Sequence, residues 1–157
     1  MKITLLMIGK SNNPQLIQLQ EEYQNRLKHY VSLEVVVIPD LKNTKTLSET
    51  DQKDKEGELI LKQFDNNDEV YLLDENGREY SSIAFSEFIS HKQITVNKRM
   101  IFVIGGAYGF SEKVYQRANG KISLSKMTFS HQMIRVIFLE QLYRAMTIIK
   151  GEPYHHQ

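Results

Sequence analysis

The fold predicted for this chain is an α/β sandwich around a mostly parallel sheet. Five short apolar runs, 2–8, 33–38, 69–73, 100–105 and 121–124, read as strands. They are β-branched or leucine-rich, as strands buried on both faces tend to be. Helical stretches at 14–29, 48–64, 81–92, 111–118 and 130–149 alternate with them. That alternation puts helices on both faces of a parallel sheet. No linker, repeat or low-complexity tract divides the 157 residues, so one domain spanning the chain is expected.

Each element carries its own signal. The run from Ile3 to Ile8 is too short for a signal-peptide core and lacks a small-residue cleavage site, so it reads as a first strand. The first helix has Pro14 in its first turn and Leu16, Leu19, Tyr23 and Leu27 at helical spacing. Pro39 to Thr46, rich in Lys, Asn and Thr, is an exposed and mobile loop. Ser48 opens the second helix, with Leu59, Ile60 and Phe64 near its end. Ser81 or Ser82 caps the third, and Ser111 with Glu112 opens the fourth. The last helix has a broad apolar stripe of Ile134, Phe138, Leu142, Ala145, Met146 and Ile149, widened by Val136, Ile137 and Tyr143. Such a helix is expected to be buried on most sides, by its own domain and by a second subunit.

Composition excludes several chemistries. The chain has no cysteine, hence no disulfide scaffold, thiolate metal site or thiol nucleophile. None of its five histidines falls in a helix-borne zinc pattern, and no metal is expected. No apolar segment approaches membrane-spanning length, so a cytoplasmic location is the expectation. Net charge is only +1, which argues against a bulk nucleic-acid coat. The charge is unevenly placed, however. Residues 1–109 carry 13 basic and 16 acidic side chains, whereas residues 110–157 carry 7 and 3. An anionic partner would meet the C-terminal part; a merely solvated helix face remains the other reading.

Four constellations stand out in that part. Gly105, Gly106 and Gly109 follow a buried strand and precede a helix. Such a turn lets a ligand approach main-chain N–H groups, but the pattern is neither GxGxxG nor GxxxxGK[ST], and a plain tight turn also explains it. The turn Leu124, Ser125, Lys126, Met127, Thr128, Phe129 offers hydroxyls, main-chain donors and apolar walls. A flat heterocycle needs such a setting; an ordinary strand–helix connector is the alternative. Arg135 falls inside the apolar stripe of the last helix. Unpaired it would be very costly there, so it must meet a carboxylate of the protein or an anion of a ligand. Arg144 shares a narrower polar stripe with Glu140 and Thr147. The chain closes on Gly151, Glu152, Pro153, Tyr154, His155 and His156, an unusual composition for a loose end.

These residues carry a resemblance. MKITLLMIGK at the start, DKEGELIL at 54–61, FVIGGAYGF at 102–110, SLSKMTFSHQMIRVIFLEQLYRAM at 123–146 and GEPYH at 151–155 resemble the RlmH family of small SPOUT-class methyltransferases. The resemblance covers essentially the whole length. It implies a single SPOUT domain with a C-terminal trefoil knot, and a homodimer. It implies S-adenosylmethionine as cofactor, held around Leu73, Gly105 and the loop Leu124, Ser125, Lys126, Met127, Thr128, Phe129. It implies as substrate a pseudouridine of 23S rRNA, methylated at N3 within the assembled ribosome, without an added RNA-binding domain. Two departures stand out: Ser130 precedes His131 where the family often has proline, and His156 follows His155 where the family often has Lys or Arg.

In such a transfer the methyl donor is already activated, and the protein mainly positions the reactants. Arg135 is the candidate for orienting the base or binding its phosphate. Tyr154 would stack on or orient the base, and His155 would take part in removing the N3 proton. The tail is expected beside the mouth of the cofactor pocket. A non-catalytic ribosome-binding factor and a small nucleotide-using hydrolase or transferase are the competing readings. The missing GxGxxG and the lack of an acidic metal pair count against the second.

Overall fold

A computed structural model describes residues 1–156. Strands β1 (Lys2–Ile8), β2 (Ser32–Ile38), β3 (Glu69–Glu79), β4 (Arg99–Ile104) and β5 (Gly120–Ser123) form one sheet in the order β2-β1-β4-β3-β5. Every neighbouring pair of strands runs parallel. The helices are α1 (Pro14–Leu27), α2 (Glu49–Leu61), α3 (Ser82–Thr95), α4 (Glu112–Arg117) and α5 (Met133–Ile149). The side chains of β1 explain the layering. Ile3, Leu5 and Met7 face one cluster with Leu27 of α1, Phe85 and Ile89 of α3, and Phe138, Leu139 and Leu142 of α5. Leu6 and Ile8 face the other, with Ile60 of α2 and Val114 of α4. A strand with a packed layer on each side has no polar face, which is why the runs read as continuously apolar.

Local chemistry sets the helix starts. Asn13 accepts from the N–H groups of Gln15 and Leu16 ahead of Pro14, and Ser48, Ser81 and Ser111 cap α2, α3 and α4. The helix expected from residue 130 begins at Met133 instead. Ser130 still caps it, its hydroxyl accepting from the Met133 N–H and its carbonyl from the Ile134 N–H. The loop after β2 contains a single 3-10 turn, Thr44–Thr46.

Helix α5 packs between α1 and α3 over the sheet. Phe138, Leu139 and Leu142 are wholly buried, each contributing about 1.5–3 kcal/mol. The chain itself therefore covers most of the stripe, and the apolarity of α5 alone does not call for a second subunit.

The largest difference from the sequence reading is in β3, expected to end at Leu73. Its pairing with β5 slips between Leu73 and Arg78, so that both oppose Ile122. The residues between them bulge out of the ladder, with the Asp74 carboxylate accepting from the Asn76 N–H. Gly77 brings the strand back against β5. A Cβ there would lie 2.6 Å from Ile122 N.

The N-terminal edge of the sheet is closed by ion pairing. Arg99 at the start of β4 donates Nε and Nη2 to the two oxygens of Asp68, at 3.1 and 2.6 Å, and Nη2 also reaches the Gln63 carbonyl. The Asp65 N–H adds a third donor to Asp68, and Arg117 donates to the carbonyls of Asp65 and Asp68. Burial alone would raise the Asp68 pKa, but the hydrogen bonds from Arg99 and Asp65 outweigh it and hold the carboxyl below its ordinary range.

Two outcomes follow from this packing. Gly77→Ala must displace β5 and should cost about 1–3 kcal/mol, read as a lower urea midpoint with an unchanged slope. The Asp68 pKa is depressed by folding, so its stabilisation is present above the unfolded value and lost as pH falls through the folded one. In urea titrations at a series of pH values, Asp68→Asn should lose about 1.5–3 kcal/mol at pH 7 and flatten the acid limb below about pH 3.9.

Candidate functional site

In a parallel sheet, the loops after the strands gather at one edge, where α/β proteins bind ligands. Here the bulge of β3 and the ends of β4 and β5 surround a cavity of about 640 Å³, in the range that encloses a small ligand. One wall is the bulge of β3, with Leu73, Asp74, Glu75 and Asn76. The floor is Ile104 and the turn from Gly105 to Phe110. This turn is closed by the Gly109 N–H donating to the Gly106 carbonyl and is backed by the Phe110 ring beneath Gly105. The opposite wall is the segment joining β5 to α5, with Leu124, Ser125, Met127, Thr128, Phe129, His131 and Ile134.

That last segment is held by its own hydroxyls. Ser123 Oγ donates to the Ser125 carbonyl, and Ser125 Oγ accepts from the Met127 N–H. These bonds shape the loop as a turn. Tyr115 of α4 reaches across to the bulge, its hydroxyl donating to Asp74 Oδ2 at 2.5 Å. Burial, then the Asp74 carboxylate, pushes the Tyr115 phenol far above its ordinary value, so it stays protonated and a donor. The cavity thus combines apolar walls, main-chain groups and two carboxylates, Asp74 and Glu75. It suits a flat heterocycle joined to a cationic group.

The structure brings together Leu73, Gly105, Leu124, Ser125, Met127, Thr128 and Phe129 as the sequence reading expected. Lys126 is the exception. Its side chain is exposed, with Nζ 3.7 Å from Glu79 Oε1, and it does not line the cavity. Asp74, Glu75, Tyr115 and His131 line it without having been expected. The Asn-Gly pair at 76–77 is a turn signal that could have marked the bulge; nothing local marks Tyr115.

Arg135 sits elsewhere. It is 1% exposed and makes no part of the cavity wall. Nη2 donates to the carbonyls of Ile8 and Gly9, both at 2.7 Å, and Nη1 to Ser11 Oγ. The partner expected to be a carboxylate or a ligand anion is thus mainly the end of β1. Burial lowers the Arg135 pKa and the charge of Asp40 opposes that shift; a guanidinium stays charged regardless. Beside it, Gln132 accepts from the N–H groups of Asn12 and Asn13, tying the start of α5 to the same loop.

Residues 151–156 of the tail line no part of the cavity of their own chain. Gly151 adopts a positive φ of 69°, and the Glu152 N–H returns to the Thr147 carbonyl. Tyr30 donates to Glu152, which, ahead of burial, pushes the Tyr30 phenol up to about 12. Tyr154 donates to Glu140 Oε1, packs edge-on to Tyr143 and lies under the Arg144 guanidinium. Arg144 bridges Glu140 and His155 Nδ1, the latter at 3.2 Å. Arginine can only donate, so Nδ1 accepts, and the neutral ring carries its proton on Nε2. His155 therefore presents a donor outward.

Among the described residues, no group of three or more His, Cys, Asp or Glu is placed to hold a metal, and no helix is long and apolar enough to cross a membrane.

Known proteins share this sequence closely. A family model described as a predicted SPOUT methyltransferase matches residues 1–155. Proteins named ribosomal RNA large subunit methyltransferase H are similar over the full length of both chains. Those from Parabacteroides distasonis, Christiangramia forsetii and Bacteroides thetaiotaomicron are 59%, 60% and 57% identical over 157 residues. With a parallel sheet that gathers its cavity from the bulge of β3 and the loops after β4 and β5, the chain belongs to the SPOUT methyltransferase family.

Proposed function

We propose that this chain is an S-adenosylmethionine-dependent methyltransferase acting on N3 of a pseudouridine in 23S rRNA. It works in the cytoplasm as a homodimer of single SPOUT domains, with the ribosome as substrate. The observation that carries the reading is the cavity itself. Every cofactor residue expected from sequence except Lys126 lines one space of suitable size and chemistry.

The residues present fit the cofactor. Leu73, Gly105 and the segment from Leu124 to Phe129 would hold the adenosine part between apolar side chains and main-chain groups. Asp74 and Glu75 supply carboxylates for its cationic part. The cofactor brings a methyl group on a positively charged sulfur, already activated for displacement. The segment from β5 into α5 carries the trefoil knot in this reading. The protein's share is to hold the two reactants in line and to keep water out.

The dimer follows from what one chain leaves incomplete. Tyr108, Met127 and Phe129 at the cavity are exposed, and Met133 beside them is as well. An apolar rim of this kind calls for a cover. The tail, meanwhile, is fastened to α5 away from its own cavity. A second copy would cover the rim and bring its tail to the site, where Tyr154 orients the base and the Nε2–H of His155 holds the substrate.

Mass mapping of 23S rRNA from cells with and without this protein tests the function. Loss of one methyl group from a pseudouridine is expected, and identical maps would refute it. Calorimetric titration with S-adenosylmethionine separates the enzyme from a ribosome-binding factor, which has no need of the cofactor.

Deleting residues 154–157 should abolish methylation and leave cofactor affinity within about threefold, since the described residues of the tail, 154–156, line no part of the cavity. A methylation assay on ribosomes beside a cofactor titration of the same truncated protein checks both halves. The stacking face lost with Tyr154 is worth roughly 1–3 kcal/mol.

A further inference from the structure

One side chain joins the floor of the cavity to its bulge wall. Tyr115 of α4 lines the cavity and stands edge-on to the Phe110 ring, with 5.8 Å between centroids. Phe110 in turn backs Gly105 in the floor. Helix α4 begins where that floor turn ends, with Ser111 as its cap. From β5, Lys121 holds its Nζ 5.5 Å from the centre of the Tyr115 ring. Fixed in this way, the phenol ends at the bulge of β3 and donates to Asp74 Oδ2 at 2.5 Å. A short bond of this kind to a carboxylate is among the stronger hydrogen bonds a protein makes.

The consequence lies with Asp74. An ionised carboxylate has about four acceptor positions. The Tyr115 hydroxyl takes one on Oδ2, and the Asn76 N–H takes one on Oδ1 at 2.8 Å. One bond on each oxygen fixes the rotation of the group, and acceptor positions remain for a ligand in the cavity that Asp74 lines. The Asn76 bond comes from the bulge itself. Tyr115 is, among the described residues, the one group from another element that holds this carboxylate. No lysine or arginine among them forms an ion pair with Asp74 or with its neighbour Glu75. A cation in place of Tyr115 would fix Asp74 and cancel its charge at the same time. A phenol fixes it and leaves the charge for the ligand, and burial with Asp74 at hand keeps that phenol protonated.

We propose that Tyr115 is a positioning residue of the cofactor site: its hydroxyl holds the Asp74 carboxylate toward the cationic part of S-adenosylmethionine, so that the pocket distinguishes a charged ligand from a neutral one of the same adenosine shape. This rests on the methyltransferase reading above. Selectivity is a difference between two affinities, and a fixed anion raises only one of them. The attraction is strong where walls exclude water and weak where the carboxylate is free to swing into solvent. A supporting bond that holds the charged group in place therefore sets how much of that attraction is realised.

Calorimetric titration of the full chain with three ligands tests this. S-adenosylmethionine carries a sulfonium and an ammonium, S-adenosylhomocysteine the ammonium alone, and 5′-methylthioadenosine neither. Tyr115→Phe keeps the ring and removes the hydroxyl. Its affinity for S-adenosylmethionine should fall about tenfold, as for loss of a hydrogen bond to a charged group, while its affinity for 5′-methylthioadenosine stays within about threefold of the parent. A loss shared by S-adenosylhomocysteine assigns the contact to the ammonium, and a loss confined to S-adenosylmethionine assigns it to the sulfonium; both support the proposal. Asp74→Asn should narrow the same preference at least as far. Adding Tyr115→Phe to Asp74→Asn should then cost less than about threefold more, because the hydroxyl acts through that carboxylate. Unchanged S-adenosylmethionine affinity in Tyr115→Phe, an equal loss for all three ligands, or fully additive losses in the double variant each overturn the proposal. So does an unchanged preference in Asp74→Asn, even where Tyr115→Phe fails to fold. If the parent protein binds no S-adenosylmethionine, the functional reading itself falls, a result distinct from any of these.

Discussion

One buried guanidinium holds the C-terminal edge of this sheet together. Arg135 caps the last carbonyls of β1 and the hydroxyl of Ser11 from the first turn of α5. Strand ends in a parallel sheet leave carbonyls that no neighbouring strand satisfies, and burying them unpaired is costly. A fork of donors on the one helix that crosses this edge answers them and fixes where α5 begins. The start of α5 in turn fixes the segment from Leu124 to Ser130, which is one wall of the cavity. A lysine would offer a single point of charge rather than a fork, and it could not reach two carbonyls and a hydroxyl at once.

Much of the fold was legible in the sequence because its signals are local. Strand runs, serine and asparagine caps and the period of α5 depend on residues a few positions apart. What failed depends on partners far away in the chain. The return of β3 after Leu73 rests on Gly77 meeting the backbone of β5. The start of α5 moved from 130 to Met133 because Gln132 and Ser130 are taken by the loop after β1 and by capping. In the site, the glycine turn and the segment after β5 were readable as composition. Tyr115 and the carboxylates of the bulge were not, since only the slipped ladder brings them to the same space. Arg135 was readable as a buried charge, but its partners were main-chain atoms, and no sequence pattern announces a carbonyl.

The excess of basic residues after position 109 also means something different once placed. Arg117 is spent on the carbonyls of Asp65 and Asp68, Arg135 on those of Ile8 and Gly9, and Arg144 on Glu140 and His155. Lys126 lies near Glu79, while Lys121 and Lys150 lie over the rings of Tyr115 and Tyr30. Most of that charge is architectural, and a count of residues overstates what remains to meet phosphates. A small enzyme with this surface must rely on the shape of its target more than on a field.

The two edges of the sheet then divide stability from chemistry. At the N-terminal edge, Asp68 receives Arg99 through both oxygens and the Asp65 N–H besides. Nothing there waits for a ligand. At the C-terminal edge, Glu56 Oε1 and Arg135 Nε remain without partners, and Glu56 is held beside a like charge. A chain selected for stability alone would replace such groups with apolar ones of similar volume at little or no loss. Thr4 Oγ1 in β1 is without a partner as well, so unpaired groups are not confined to that edge, but among the described residues the two charged ones lie on the edge that carries the cavity, where a site can hold groups that a purely structural core would shed.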